Sequence, residues 1–321
     1  MMPPKIYGLI GYPVKHSFSP NMHNAAFQAF SINAEYKLFE LKPEELEGFL
    51  LDNIRVKDVK GESFFSQDIV GFNITIPHKI KAREILEKEF PYNQNAPQTQ
   101  LNLYYVKLSG AVNTVKREGN ILEYWNTDAT GFWKSLTQKE PLCLGFEPKG
   151  KKILLIGCGG AGMAIMASII ASLIWRNIGI QKIYINDINN KAIDSAEKHF
   201  QKLPQYSYFK DILKSTLTDD IPTVIKDCDL LINASPVGMK EGDGSVIDKG
   251  WLHSDLSVYD VVYNRKTQLI KDAKSQGLSA VNGLGMLLYQ GVDAFELWTG
   301  EKAPVEVIEV MRKALTEAMS K

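Results

Sequence analysis

The run ILLIGCGGAGMAIMASIIASL, residues 153–173, constrains this chain more than any other stretch. Four apolar residues end on a cluster of glycines, and the glycines open directly onto a long apolar segment. That order describes a strand buried on both faces, a tight turn and a buried helix. The most apolar part, residues 163–175, is too short to cross a bilayer, which takes about 20 residues. KIYIND follows as a second strand, with CDLLINAS and LSVYDVVY as later ones separated by helix-forming segments. Apolar strands alternating with helices predict a parallel, doubly wound sheet.

Gly157, Gly159 and Gly162 fit the pattern GxGxxG. Such glycines cluster in many turns, and the flanking strand and helix give them meaning: the first permits the turn, the second lets a pyrophosphate approach the backbone, and the third permits close packing. The helix start at Gly160 and Ala161 then offers amide donors and partial positive charge to the phosphates. Residues 150–280 are therefore expected to bind a dinucleotide. The second strand ends at Asn186-Asp187, where an acid binds the adenosine ribose diol. That favours NAD, because Asp187 would repel the phosphate that NADP carries there; Lys191, one turn on, partly offsets the repulsion, so NADP stays open.

With 37 basic and 37 acidic residues the chain has no net field for a polyanion, and nucleic acid is not expected as a partner. Cys143, Cys158 and Cys228 lie far apart, as free thiols of a reducing compartment do. No metal site is expected from the scattered histidines, of which His16 and His23 are the nearest pair. The N-terminus reads as a first strand rather than a signal peptide, and no membrane association is expected.

The first part of the chain alternates KIYGLIG, a helix from Pro20, AEYKLFEL, the helix PEELEGFL and DIVGFNIT, a βαβαβ pattern. FNITIPHK reads as a strand that runs through Pro77 and His78 to Lys79, near the start of the helix KIKAREILEKE. PYNQNAPQTQLN, residues 91–102, is expected to be an exposed loop, and GAVNTVKREGNILEYWNTD a hairpin turning at Glu118-Gly119-Asn120. In GYPVKHSFSPNMHN, Ser17 and Ser19 precede a helix. Ser19 reads as its N-cap, and both hydroxyls also suit an anion pocket at the helix end.

At this point the sequence resembles the shikimate dehydrogenase family over nearly its whole length. The matching stretches are GYPVKHSFSPNMHN, GFNITIPHK, GAVNT, NTDATG, GCGGAGMA, NASPVGM, DVVYN and GLGMLLYQGVDAFELWTG, in family order. The resemblance implies reversible reduction of 3-dehydroshikimate to shikimate in a cytoplasmic monomer or homodimer. It implies an α/β fold, with an N-terminal three-layer α/β substrate domain at residues 1–127, completed by C-terminal helices at 283–321. A Rossmann-type dinucleotide-binding domain would occupy residues 128–282.

Carried over residue by residue, Ser17 and Ser19 would bind the substrate carboxylate with Thr75 near it. Asn113 and Asp128 would bind ring hydroxyls, and Gln290 would contact the substrate from a late helix. Tyr263 would lie on the nicotinamide side and Gly283 at the cofactor. Lys79 would be the catalytic lysine, paired with Asp128. Plainer readings exist for several: Thr75 as a strand residue, Asn113 as a turn residue, Gln290 as a helix-surface polar group. The chemistry explains the lysine. Hydride arriving at a ketone carbon puts negative charge on its oxygen, and a cationic proton donor must already be there.

The family pattern has NRT at the end of the second strand, its arginine clamping the NADP phosphate, where this chain has NDI. In this the chain resembles the NAD-using quinate/shikimate branch. A quinate or dual-specificity dehydrogenase, and a catalytically silent ligand-binding relative, are the alternatives.

Overall fold

The structure of the chain, a computed structural model, describes residues 3–91 and 99–320. From the N-terminus run β1 (Lys5–Gly11), α1 (Ser19–Ala29), β2 (Ala34–Glu40), α2 (Leu46–Leu51), β3 (Arg55–Lys57), β4 (Ser63–Phe65) and β5 (Ile69–Ile74). Then come α3 (Lys79–Glu89), α4 (Thr99–Ser109), β6 (Thr114–Glu118), β7 (Ile121–Trp125) and α5 (Thr127–Thr137). The next stretch holds β8 (Lys152–Ile156), α6 (Gly160–Trp175), β9 (Lys182–Asn186), α7 (Asn190–Gln201), β10 (Leu213–Ser215), α8 (Ile221–Val224) and β11 (Leu230–Asn233). The chain ends with β12 (Ser257–Asp260), α9 (Gln268–Ser275), β13 (Ala280–Asn282), α10 (Leu284–Thr299) and α11 (Val305–Met319). It divides into two compact units, Met1–Thr130 with Leu287–Lys321, and Gly131–Met286.

The first unit is built on a sheet of order β2-β1-β5-β6-β7, parallel where β1 meets β2 and β5 and antiparallel from β5 onward. Period-two alternation sends β1 side chains to opposite faces. Ile6 and Ile10 join Phe49 and Leu50 of α2, Leu86 of α3 and Val106 of α4 in one core. Tyr7 faces the other way, with Phe27 of α1 at 5.0 Å and Trp298 of α10 at 5.2 Å between ring centroids. Helices thus cover both faces, which makes three layers. Gly71 lets β5 pass under Trp298, since a Cβ there would stand 2.7 Å from the indole.

The second unit carries a fully parallel sheet of order β10-β9-β8-β11-β12-β13. This is the doubly wound order, in which connections diverge to either side of the first strand and leave a crevice at the strand C-termini. Ile153, Leu154 and Leu155 are wholly buried, and α6 is buried from Gly162 to Ser172. Among the described residues no helix is long and apolar enough to cross a membrane.

Local outcomes differ from the sequence reading in a few places. β5 stops at Ile74 instead of running to Lys79, because Pro77 has no amide to give a ladder and the chain turns there. Residues 99–102 of the expected loop are the first turn of α4, while its residues 92–98 lie outside the described residues. The hairpin forms with Glu118 opposite Ile121, and Gly119 takes the left-handed φ of 60° that the two-residue turn requires.

Candidate active site

Lys79 reaches its place through a short tethered turn. Past the end of β5, the Thr75 amide donates to the Ile10 carbonyl at 2.9 Å, and the His78 amide donates back to Thr75 at 3.0 Å. The buried His78 ring meets the Leu41 carbonyl at 2.6 Å, and because a carbonyl only accepts, Nε2 carries the proton. Helix α3 then starts at Lys79 itself. Lys79 Nζ lies 2.5 Å from Asp128 Oδ2, with the two side chains 13% and 9% exposed. Both charges are largely out of water, so each depends on the other; removing one partner of such a pair typically costs about 3–5 kcal/mol.

Asp128 is the second residue of α5, and the start of that helix is held from two sides. Asn126 accepts the Ala129 amide at 3.3 Å as a capping side chain does. Asn113 Oδ1 accepts the Thr127 amide at 2.7 Å, and its Nδ2 donates to Thr127 Oγ1 at 3.1 Å. Asn113 is therefore no turn residue pointing to solvent; it is 2% exposed.

The two serines stand differently from the N-cap reading. The capping position is Phe18, with no side-chain cap, and Ser19 is the first helical residue of α1. Ser17 Oγ accepts the Ser19 amide at 3.2 Å and donates to Ser19 Oγ at 3.1 Å, which brings both hydroxyls together at the helix start. Thr75 packs its methyl where a Cβ of Gly11 would stand, 2.4 Å away. Gln290 is 6% exposed, not a helix-surface group, and its amide donates to the Leu287 carbonyl at 2.9 Å. Its neighbour Gly291 meets Met22 and His23 of α1.

In the second unit the three glycines do three jobs. Gly157, at φ 105°, would put a Cβ 2.6 Å from the backbone of Ala234 beyond β11. A Cβ on Gly162 would lie 1.9 Å from the Gly157 carbonyl, whereas one on Gly159 would meet nothing within 4 Å. Gly159 is the N-cap of α6 and brings no capping side chain, so the donors around Gly160 and Ala161 face no side chain of their own helix end. Packing glycines around an open one fit a phosphate-bearing dinucleotide.

Asp187 closes the same loop, accepting the Cys158 amide and the Asn189 amide, each at 2.8 Å. Burial and the neighbouring carboxylates push the Cys158 thiol up to about 12, so it stays a neutral thiol. Asn186 is turned inward, donating to the Thr216 carbonyl at 2.9 Å, and Lys191 sits in the first turn of α7. Gly283 packs tightly on Val261, 2.0 Å from its would-be Cβ, while Tyr263 is half-buried between β12 and α9. Among the described residues no group of histidine, cysteine and acidic side chains is arranged to hold a metal.

Comparison with known proteins places the chain. A family model described as "Shikimate dehydrogenase substrate binding domain" matches residues 9–115, and one described as "Shikimate 5'-dehydrogenase C-terminal domain" matches residues 283–316. A shikimate dehydrogenase (NADP(+)) of Methanopyrus kandleri is 38% identical over 97% of this chain and 95% of its own. The chain belongs to the shikimate dehydrogenase family. Family members are oxidoreductases that act on a ring CH–OH group. Among solved structures of the family, that of Listeria monocytogenes, in complex with shikimate and NAD, is 31% identical over 95% of both chains with a TM-score of 0.69. That of Thermus thermophilus, in complex with NADP(H) and shikimate, is 25% identical over 98% of this chain and 99% of that one, with a TM-score of 0.73.

Sequence reasoning passed over several buried polar residues inside the family motifs. Asn73, Thr114 and Thr127 were read only as parts of GFNITIPHK, GAVNT and NTDATG, and Tyr36 only as a strand residue. One signal was present: an asparagine inside the apolar run IVGFNI must find partners once buried.

Proposed function

We propose that this chain catalyses the reversible NAD(P)-dependent reduction of 3-dehydroshikimate to shikimate, a step of aromatic amino-acid biosynthesis in the cytoplasm. The first unit would hold the substrate and the second the nucleotide. The carrying observation is the Lys79–Asp128 contact of 2.5 Å, largely withdrawn from solvent, in the unit that the substrate-domain family model matches. The nicotinamide, when bound, supplies or accepts the hydride. Lys79 Nζ holds the proton that the substrate oxygen takes up in reduction and receives it back in oxidation. Asp128 keeps Nζ in place and binds a ring hydroxyl with Asn113; Ser17 and Ser19 take the carboxylate with Thr75 near it, and Gln290 contacts the substrate.

A second reading concerns the nucleotide and the substrate's neighbour. Relatives such as that of Methanopyrus kandleri bear the name shikimate dehydrogenase (NADP(+)). Here the Asp187 carboxylate accepts the Cys158 amide of the glycine loop, which supports its reading as a ribose ligand. We infer a preference for NAD, with quinate as an additional substrate. Following nicotinamide reduction at ~340 nm with shikimate or quinate, each with NAD or NADP, ranks all four combinations. Fastest turnover with shikimate and NAD is expected; faster turnover with NADP removes the ribose role of Asp187, and no turnover in any combination removes the enzymatic reading.

A further inference from the structure

Behind Asp128 lies a buried chain of hydrogen bonds that leads to Tyr36 on β2, a residue in none of the family motifs. Its polarity follows from one fixed point. The main-chain carbonyl of Asn113 only accepts, so the Asn73 atom 3.2 Å from it is Nδ2, which also donates to Thr114 Oγ1 at 3.0 Å. The other end of the amide is then Oδ1, and Tyr36 Oη donates to it at 2.8 Å. Thr114 Oγ1 passes its own proton to Asn113 Oδ1 at 3.1 Å or to Thr127 Oγ1 at 2.9 Å. Asn113 Oδ1 finally holds the Thr127 amide, the residue before Asp128. Tyr36, Asn73, Asn113, Thr114 and Thr127 are all 4% exposed or less, so a broken link cannot be replaced by bulk water.

The phenol is itself fixed. Asn24 of α1 brackets the Tyr36 backbone, accepting its amide at 2.7 Å and donating to its carbonyl at 3.2 Å. His23, wholly buried, stacks on the Tyr36 ring at 4.4 Å and 10°. The phenol oxygen is therefore held where it donates to Asn73 Oδ1, and it supports the amide orientation that the Asn113 carbonyl sets. We propose that Tyr36 and Asn73 are positioning residues for the Lys79–Asp128 pair, acting through the Asn113 side chain that holds the first turn of α5. The inference rests on the reaction proposed above. Without the Tyr36 proton, Asn73 Oδ1 loses that buried donor, the amide that donates to Thr114 Oγ1 and the Asn113 carbonyl is held less firmly, and the start of α5 loosens under Asp128.

The test uses Tyr36→Phe, which removes one hydroxyl and keeps the ring stack, and Thr114→Val, which breaks the chain nearer its end. For each, kcat and KM for shikimate and the hydrogen-exchange rate of the Thr127 amide are measured. A positioning role predicts kcat reduced about tenfold with KM within about twofold, and Thr127 exchange raised about tenfold. Unchanged kcat in the folded variants overturns the inference, and so does a rise in KM alone, which would make these residues part of substrate binding. Should Tyr36→Phe fail to fold, Thr114→Val decides by the same values. An inactive wild-type protein would remove the proposed reaction; Thr127 exchange would then still decide, unchanged rates in both variants overturning the inference.

Discussion

Lys79 and Asp128 meet through side chains, and the main chain that carries them is held in large part by other side chains: Asn113, Asn126 and the His78 ring. The loop from Gly157 to Gly162 works by having almost no side chains, its shape set by where a Cβ will not fit. The contrast fits the tasks proposed for the two regions. Moving a proton takes an ionisable atom at a defined point, and only a side chain supplies one. A pyrophosphate is met by main-chain amides at a helix start, where added bulk can only obstruct. The two regions should therefore fail in different ways, the first through loss of atoms and the second through gain of them.

The largest effect expected is that of Lys79→Ala. If Nζ is the proton donor, kcat should fall by about 10²–10⁴ with a much smaller change in KM for shikimate, read by steady-state kinetics. Near-normal turnover would end its acid/base role. Next comes Gly162→Ala, which adds a single methyl. Its Cβ would lie 1.9 Å from a main-chain oxygen that cannot swing aside, so a loss of about 3 kcal/mol or more in stability is expected, with weakened nucleotide binding. Thermal unfolding and a nucleotide titration check both.

The units should also part company in acid. His23 in the first unit is wholly buried among aromatic rings, and burial pulls it down to about 3 from 6.5. A depressed histidine takes no proton in the folded state while the unfolded chain does, so stability is lost as pH falls below 6.5. By pH 5 the loss amounts to about 2 kcal/mol. Asp260 in the second unit runs the other way: burial raises it to about 6, against the pull of donors from Thr267, Val262 and Asn233. Its folded state binds the proton first, which adds about 1.3 kcal/mol between pH 7 and pH 5. Hydrogen exchange at pH 7 and pH 5 should show the first unit loosening relative to the second, and His23→Phe should abolish most of that difference. Equal loosening of both would refute it.

The same contrast explains what the sequence made legible. The shape of the glycine loop was readable because it depends on spacing, and spacing is written directly in GCGGAG between an apolar strand and an apolar helix. Lys79 and Asp128 were readable through motif order. Tyr36 and Asn73 were not, because what matters there is which way a buried amide faces, and that depends on partners up to 41 positions apart in the chain. Strands β3, β4, β10 and β13 were missed for a simpler reason: each has three residues, too few for a period of two to declare itself.

The smallest effect is the most discriminating. Gly159 has open space where a Cβ would go and an extended backbone, φ −74° and ψ −171°, that any residue can adopt. Gly159→Ala should therefore leave thermal stability within about 0.5 kcal/mol of the wild type, as unobstructed surface substitutions do. If the space belongs to a pyrophosphate, the same methyl stands where the phosphate must approach, and KM for the nucleotide should rise about tenfold while KM for shikimate stays put. Gly162→Ala cannot separate packing from binding, because it disturbs both. At Gly159 the two come apart: an unchanged nucleotide KM in a fully stable variant would mean that the loop is shaped for packing alone, and that the phosphates sit elsewhere.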